Sequence, residues 1–488
     1  MYTFKSLAVL ASLLPLGLAQ VAPAVSQSTA FNSSFALSKE QIAKLNISET
    51  AIESIENIIN FDRSQLAHGG PGEDDFYSLP PLTNQSGPLR PGQLLKVQPF
   101  TNVSSFSIPP NTALSRIIYT TRDLNGTVLP ASAFILWPFR PRKFQNIDEN
   151  KAPVVLWNHG TSGFFASAAP SAHRSLWYGN SAPFTLAIAG YAVVAPDFAG
   201  LGISKSWDGS RIPHQWDMAS VGSLDGLYGL RAALEAFPTS LSTEFVTIGH
   251  SQGGGVTWGV AEALESQQEE FSDLLGGYKG AIAVSPVTDV FSASPQLILP
   301  WVGMALYKLF PDFTLDQWLT PLGVKRTEVF QELEAGISVG QQLFFTGEDV
   351  YKTTYNETWY SKQFAKLANP GSKPFKGPLL VIQGTNDIYV SYNVTAKTSR
   401  DTCEIYPDND LEFLTVQGTG HVPSLDATRT LWLDWIQSRF EGREIEKKGC
   451  VSSEMESFLP IEQYQFAGNS FIQWAGADQY SYETPLGP

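Results

Sequence analysis

Cysteine and histidine are the scarcest reactive side chains here, with two and six copies in 488 residues, and that scarcity excludes whole classes of protein. Cys403 and Cys450 can form one disulfide at most, so the fold does not rest on a dense framework of crosslinks. Their spacing from the histidines fits no zinc site, and no metal or cofactor is expected. Cations are also few: 32 Lys and Arg against 47 Asp and Glu leave a formal net charge of −15. Long-range repulsion then opposes nucleic acid or an anionic membrane as a partner and leaves a neutral substrate. Beyond the N-terminus no segment is apolar enough to span a bilayer, and no internal repeat is evident. With 43% hydrophobic residues, the chain can bury one large core plus an insertion.

What is present gathers around one serine. Glu244 to Ala261 read E-F-V-T-I-G-H-S-Q-G-G-G-V-T-W-G-V-A: a short β-branched run, then G-x-S-x-G, then helical spacing. A serine hydroxyl is a weak nucleophile at neutral pH and needs exposure, a base, and donors for the oxyanion it creates. A strand-to-helix elbow exposes Ser251; Gly249 and Gly253 leave room for the turn, while Gly254 and Gly255 let the helix approach the sheet. This pattern resembles the nucleophile elbow of α/β-hydrolases, in which serine, acid and histidine follow one another along the chain.

Only His421 lies downstream of Ser251, so it is the expected base. It stands in V-Q-G-T-G-H-V-P, in a loop after the strand-like residues 411–416. The acid belongs after another strand, and Asp387 follows the apolar residues 379–382 in G-P-L-L-V-I-Q-G-T-N-D. Its carboxylate would fix the imidazole tautomer and stabilise the imidazolium. Asp289, in A-V-S-P-V-T-D-V, is the rival acid and ranks second, because Asp387 lies in the last strand-loop unit before the histidine. The oxyanion hole takes the N–H of Gln252 and, by position in P-V-V-L-W-N-H-G-T-S-G, that of Thr161. His159, His250 and Asp197 read as structural residues of their loops.

The segments N-H-G-T-S-G, A-G-Y-A-V-V-A-P-D-F-A-G-L-G and G-H-S-Q-G-G together resemble the secretory lipase family of fungi and actinobacteria, a branch of the α/β-hydrolases. The likeness continues in D-D-F-Y-S-L-P-P at 74–81, G-Q-L-L-K-V-Q at 92–98 and Y-T-T-R-D-L-N-G-T-V-L-P-A-S-A-F-I-L-W-P, and so covers the chain from Asp74 to Cys450. It implies secreted hydrolysis of carboxylic esters by a serine, aspartate and histidine triad, on triacylglycerols in some members and small acetylated metabolites in others. The resemblance also supports pairing Cys403 with Cys450, which would bracket the histidine loop.

The expected fold class is α/β, an α/β-hydrolase fold: a mainly parallel sheet with helices on both faces and a largely helical cap insertion. A hairpin begins at Ala113 and turns at Asn125-Gly126; strands follow near 153–158, 191–196, 244–248 and 279–285, with a helix over 225–236. The plan divides into a signal peptide (1–19), an N-terminal extension wrapping the core (20–95), core (96–290), cap or lid (291–372), core (373–450) and a C-terminal extension with a surface-packing role (451–488). The extension carries one amphipathic stretch near 42–59. Within the cap, residues 296–310 are apolar nearly all round, which suits either a lid or acyl-binding wall, or a helix buried in the cap's own core.

Residues 1–19, with Lys5, an apolar stretch and small residues before a cut, read as a secretory signal. Export fits the sequons at Asn32, Asn46, Asn84, Asn102, Asn125, Asn356 and Asn393, each expected at the surface. The expected protein is a secreted, extracellular, monomeric serine esterase or lipase. Its substrate is a neutral ester, an acylglycerol or an acylated small molecule, reached by transient contact with a lipid interface. A deacetylating esterase or acyltransferase for a secondary metabolite is the alternative. Behind it stand a serine aminopeptidase, with Glu332, Glu334 and Glu357 facing a substrate amine, and a non-catalytic scaffold.

Overall fold

A computed structural model describes residues 34–464 except 83–86 and 294. The expected signal peptide, the sequons at Asn32 and Asn84, and the tail beyond 464 lie outside the described residues. Two short helices come first, α1 (Lys39–Leu45) and α2 (Glu49–Ser64). The amphipathic stretch expected as one unit is broken because Asn46 takes a left-handed backbone and Ser48 then caps α2 by accepting from the Ala51 N–H.

The strands are β1 (Leu94–Gln98), β2 (Ala113–Arg122), β3 (Val128–Trp137), β4 (Ala152–Asn158), β5 (Ala192–Pro196), β6 (Leu241–His250), β7 (Tyr278–Val284), β8 (Leu379–Gly384), β9 (Leu411–Val416) and β10 (Cys450–Met455). They form one sheet in the order β1-β2-β3-β5-β4-β6-β7-β8-β9-β10. The hairpin β2–β3 turns where expected, with Gly126 at φ 82° and the Asp123 carboxylate accepting from the Thr127 N–H. From β5 to β10 every neighbouring pair is parallel. Alternate residues of the buried strands feed opposite faces: Val154 and Leu156 join one core, Val155 and Trp157 the other.

Helices α3 (Pro183–Ile188), α4 (Ala219–Ala236), α5 (Gln252–Ser266) and α6 (Ser272–Leu275) link the strands up to β7. Between β7 and β8 the chain runs through α7 (Pro295–Leu306), α8 (Pro321–Glu332), α9 (Ile337–Phe344) and α10 (Trp359–Ala368). Residues 297–306 of α7 are all buried, so most of the apolar segment is covered, while Tyr307 and Lys308 near its end are exposed. The remaining helices are α11 (Tyr392–Ile405), α12 (His421–Ala427) and α13 (Arg429–Phe440).

Two expectations about the ends change. The N-terminal extension divides its packing: Ile55, Ile58 and Ile59 of α2 share one apolar cluster with Val339, Leu343 and Phe344 of α9, whereas Phe76 and Tyr77 pack on the sheet beside Ile118 of β2. Arg326 of α8 is fully buried, and its guanidinium donates to the carbonyls of Leu45, Asn46 and Leu343 at 3.0 to 3.1 Å and pairs with Glu348. One cation thus gathers the end of α1 and the end of α9, which periodicity alone does not reveal. The C-terminal extension also does more than coat the surface, since β10 runs through its first residues and supplies the edge strand beside β9.

Cys403 of α11 is bonded to Cys450 at the start of β10, 47 residues away. The bond therefore ties the edge strand to the helix before β9, on either side of His421. Replacing both cysteines by alanine is expected to lower the unfolding free energy by about 3–4 kcal/mol through the freedom regained by the open loop. Guanidinium unfolding of the double variant checks this; an unchanged midpoint would show that β10 is held by pairing alone.

Candidate active site

Four parallel strands end at one edge of the sheet and deliver the chemistry there. β6 ends at His250 and is followed at once by Ser251; β7 leads to Ser285, β8 to Asp387 and β9 to His421. Ser251 has φ 60° and ψ −123°, a backbone that an L-residue adopts only when its surroundings insist on it. Here the Ser251 N–H donates to the Val284 carbonyl at 2.9 Å, and its own carbonyl accepts from Gly255 and Val287. The flanking glycines are sterically required: a β-carbon at Gly253 would lie 2.0 Å from the Asn158 carbonyl oxygen, and one at Gly249 would lie 2.2 Å from that of Gly253.

His421 and Asp387 meet, Nδ1 to Oδ2 at 2.7 Å, with the Asp387 side chain fully covered and that of His421 12% exposed. The second carboxylate oxygen accepts from the Tyr389 and Val390 N–H groups, both at 2.9 Å, and Gln383 donates to the first at 3.0 Å. Burial alone would raise this carboxyl, yet the neighbouring His421 and the two backbone donors outweigh it and hold Asp387 below the usual carboxylate range. It is therefore an anion that accepts the Nδ1–H and leaves Nε2 as the basic nitrogen. His421 does not sit in an open loop as expected; it is the first residue of α12, with Gly420 before it in extended backbone. Asp289, the rival acid, is engaged elsewhere and caps a short turn by accepting from the Phe291 N–H.

Gln252 opens α5, so its N–H is among the donors that a helix leaves free at its positive end. Its side chain is clamped: Nε2 donates to Nε2 of His214 at 2.9 Å, while His214 Nδ1 donates to the Ala199 carbonyl at 3.1 Å. Burial lowers His214 to about 4, which keeps the ring neutral and able to accept. Thr161 stands in the loop after β4, and its hydroxyl accepts from the Trp216 indole at 2.9 Å. Asp197 is buried and accepts from the Ser132 hydroxyl and the Ser171 hydroxyl and N–H, so it fixes its loop. His159 and His250 are buried with carbonyl partners.

Trp216, His214 and Ser285 carried no signal in the sequence, because each meets its partner across 38 residues or more. Over the loop after β4 lies the insertion: Phe164 packs on Trp301 of α7 at 4.7 Å between ring centroids, Trp216 on Trp301 at 5.3 Å, and Phe165 on Phe330 of α8 at 5.7 Å.

The sequence pattern of the alpha/beta hydrolase family matches residues 154–431, more than half of the chain, from β4 to α13. The protein belongs to that family. Among solved structures, Candida antarctica lipase A in its closed state is similar with a TM-score of 0.61 at 14% identity, over 86% of this chain and 98% of that one. The rice cell wall degrading esterase LipA from Xanthomonas oryzae gives a TM-score of 0.54 at 16% identity, over 71% and 99%. A putative hydrolase from Legionella pneumophila gives 0.53 at 16% identity, over 72% and 98%. At such identities the likeness is one of fold. No curated relative matches the chain.

Beside Trp216, Asp217 is buried in left-handed backbone with φ 55°, and its Oδ1 has no hydrogen-bond partner among the described residues. Burial pushes its carboxyl from 3.8 up to about 8. The folded protein therefore keeps a proton that the unfolded chain releases near 3.8, so this group's contribution is intact in acid and is lost progressively as the pH rises to about 8. Asp217→Asn removes that dependence, and its melting temperature should gain on the wild type steadily from about pH 4 to about pH 8. Parallel melting curves for the two proteins would refute this.

Proposed function

We propose that the protein is a secreted serine hydrolase of carboxylic esters, a lipase or esterase working through Ser251, Asp387 and His421. The observation that carries the reading is the buried Asp387 carboxylate on His421 Nδ1, at the same sheet edge as a serine held in elbow backbone. In this mechanism Ser251 Oγ attacks the ester carbonyl carbon while His421 Nε2 takes its proton. The N–H groups of Gln252 and Thr161 receive the oxyanion, and the imidazolium protonates the departing alcohol. Water then attacks the acyl-enzyme by the same route and releases the acid.

The names of two of the neighbours, a lipase and an esterase, agree with this chemistry. The aromatic contacts of Trp301 and Phe330 with the loop after β4 support a cap that lines the acyl side of the site. A substrate amine finds less support, because Glu332 is already paired with Lys44 at 2.7 Å. Export is part of the proposal: the disulfide fits an oxidising compartment, and no helix among the described residues is long and apolar enough to cross a membrane. The sequon residues Asn46, Asn102, Asn125, Asn356 and Asn393 are all exposed, as glycan acceptors must be.

Hydrolysis of p-nitrophenyl esters from acetate to palmitate is the direct test. Ser251→Ala should abolish turnover at every chain length, and wild-type rates in that variant would refute the assignment. A maximum at long chains identifies a lipase, and a maximum at acetate identifies a deacetylating esterase. Asp387→Asn keeps the shape but favours the wrong imidazole tautomer, and kcat should fall by about 10⁴ with KM little changed. Retention of most of the wild-type kcat would transfer the acid's role to another residue.

A further inference from the structure

His250 is fully buried one residue ahead of Ser251, and both of its ring nitrogens have partners. The Tyr178 hydroxyl lies 2.6 Å from Nδ1, and the His421 carbonyl oxygen lies 3.0 Å from Nε2. A carbonyl oxygen only accepts, so Nε2 bears the hydrogen; Nδ1 is then a lone pair and the phenol must donate to it. One neutral tautomer satisfies every group. The surroundings favour a neutral ring, since burial and then the neighbouring His421 hold His250 down at about 3. Ser285 Oγ approaches the same His421 carbonyl at 3.3 Å as a second donor.

Tyr178 is itself fixed. It is buried, meets Trp157 edge to face at 5.2 Å, and fills the space that Gly160 leaves, where a β-carbon would stand 2.0 Å from the phenolic oxygen. Gly160 immediately precedes Thr161, so the phenol bridges the loop after β4 and His250 at the end of β6, and His250 in turn reaches the His421 carbonyl.

We infer that Tyr178 and His250 are positioning residues for the ester hydrolysis proposed above, holding the His421 backbone, and through it the imidazole, in register with Ser251. The inference rests on that reading of the function. Asp387 secures the imidazole at Nδ1 only, which leaves the ring free to follow any shift of its own backbone. The His250 N–H removes that freedom at the carbonyl, and its ring packs on the His421 ring with centroids 4.5 Å apart. Neither residue needs to touch substrate, so their effect belongs in kcat.

Tyr178→Phe keeps the ring and removes the donor. Steady-state kinetics on p-nitrophenyl butyrate should show kcat down by about tenfold to a hundredfold and KM within about twofold, at a nearly unchanged melting temperature. His250→Gln, which can still donate from its terminal nitrogen to the His421 carbonyl, should retain clearly more kcat than His250→Phe. A positioning role predicts that order; a purely space-filling role predicts the reverse, and observing the reverse overturns the inference. So does a wild-type kcat in Tyr178→Phe. Ser251→Ala runs alongside: turnover that survives in it sinks the hydrolase reading itself, whereas Ser251-dependent turnover unaffected by Tyr178→Phe sinks only the positioning role. A measurement on the unaltered chain guards against variants that do not fold. ¹⁵N-histidine spectra should show His250 neutral with its hydrogen on Nε2, and a hydrogen on Nδ1 overturns the inference.

Discussion

The left-handed backbone of Ser251 is the constraint on which the rest of the site depends. Such a conformation costs on the order of 1–3 kcal/mol and persists only where the neighbours leave no alternative. They do so through hydrogen bonds that reach across the sheet: Ser251 donates to the end of β7 and accepts from the residue three positions beyond it, so the elbow is pinned to the adjacent strand as well as to α5. The closeness of that packing is why Gly249 and Gly253 cannot be anything larger. A parallel sheet is the natural frame, because successive strands end on the same edge and the residues after β6, β7, β8 and β9 arrive there together.

That geometry also explains what the sequence makes legible. Ser251, Asp387 and His421 can be picked out because each follows a short apolar run, and the run itself reports a buried strand. The rival Asp289 had the same signature, after β7, but an earlier place in the chain, and the structure separates the two by engaging Asp289 with Phe291 and Asn369 and Asp387 with His421. The helical start at His421 was invisible because G-T-G-H-V-P reads as loop: glycine precedes the histidine and proline follows two residues later. Proline is nevertheless at home in a first helical turn, and here Pro423 occupies that place in α12. Tyr178, His214 and Trp216 were beyond sequence reasoning for a different reason. Their roles come from hydrogen bonds between distant segments, which neither periodicity nor spacing encodes.

The N-terminal arm shows the same limit on a larger scale. Its apolar face announces that it is buried, but an amphipathic helix does not name the surface that covers it. The deciding element is Arg326, a fully buried cation with carbonyl partners in two separate segments and one partly exposed carboxylate. A buried guanidinium is tolerated only when nearly all its donors are used, and these carbonyls use them. The arm, α8 and α9 therefore behave as one block, and any movement of the insertion relative to the sheet must carry residues 39–64 with it or break those bonds.

Electrostatics divide the site into a part that holds charge and a part that does not. Asp387 keeps its charge although covered, because its oxygens take two backbone N–H groups, an amide and the imidazole. Around it the buried histidines are neutral: His214 and His250 each give one hydrogen to a carbonyl and accept one from a side chain, so each ring links two segments without carrying charge. A second imidazolium beside His421 would weaken it as a base by repulsion, and burial prevents one from forming. The arrangement thus places rigid, uncharged hydrogen-bonding rings where loops must be held, and keeps the single compensated charge on Asp387, beside the imidazole that must accept a proton.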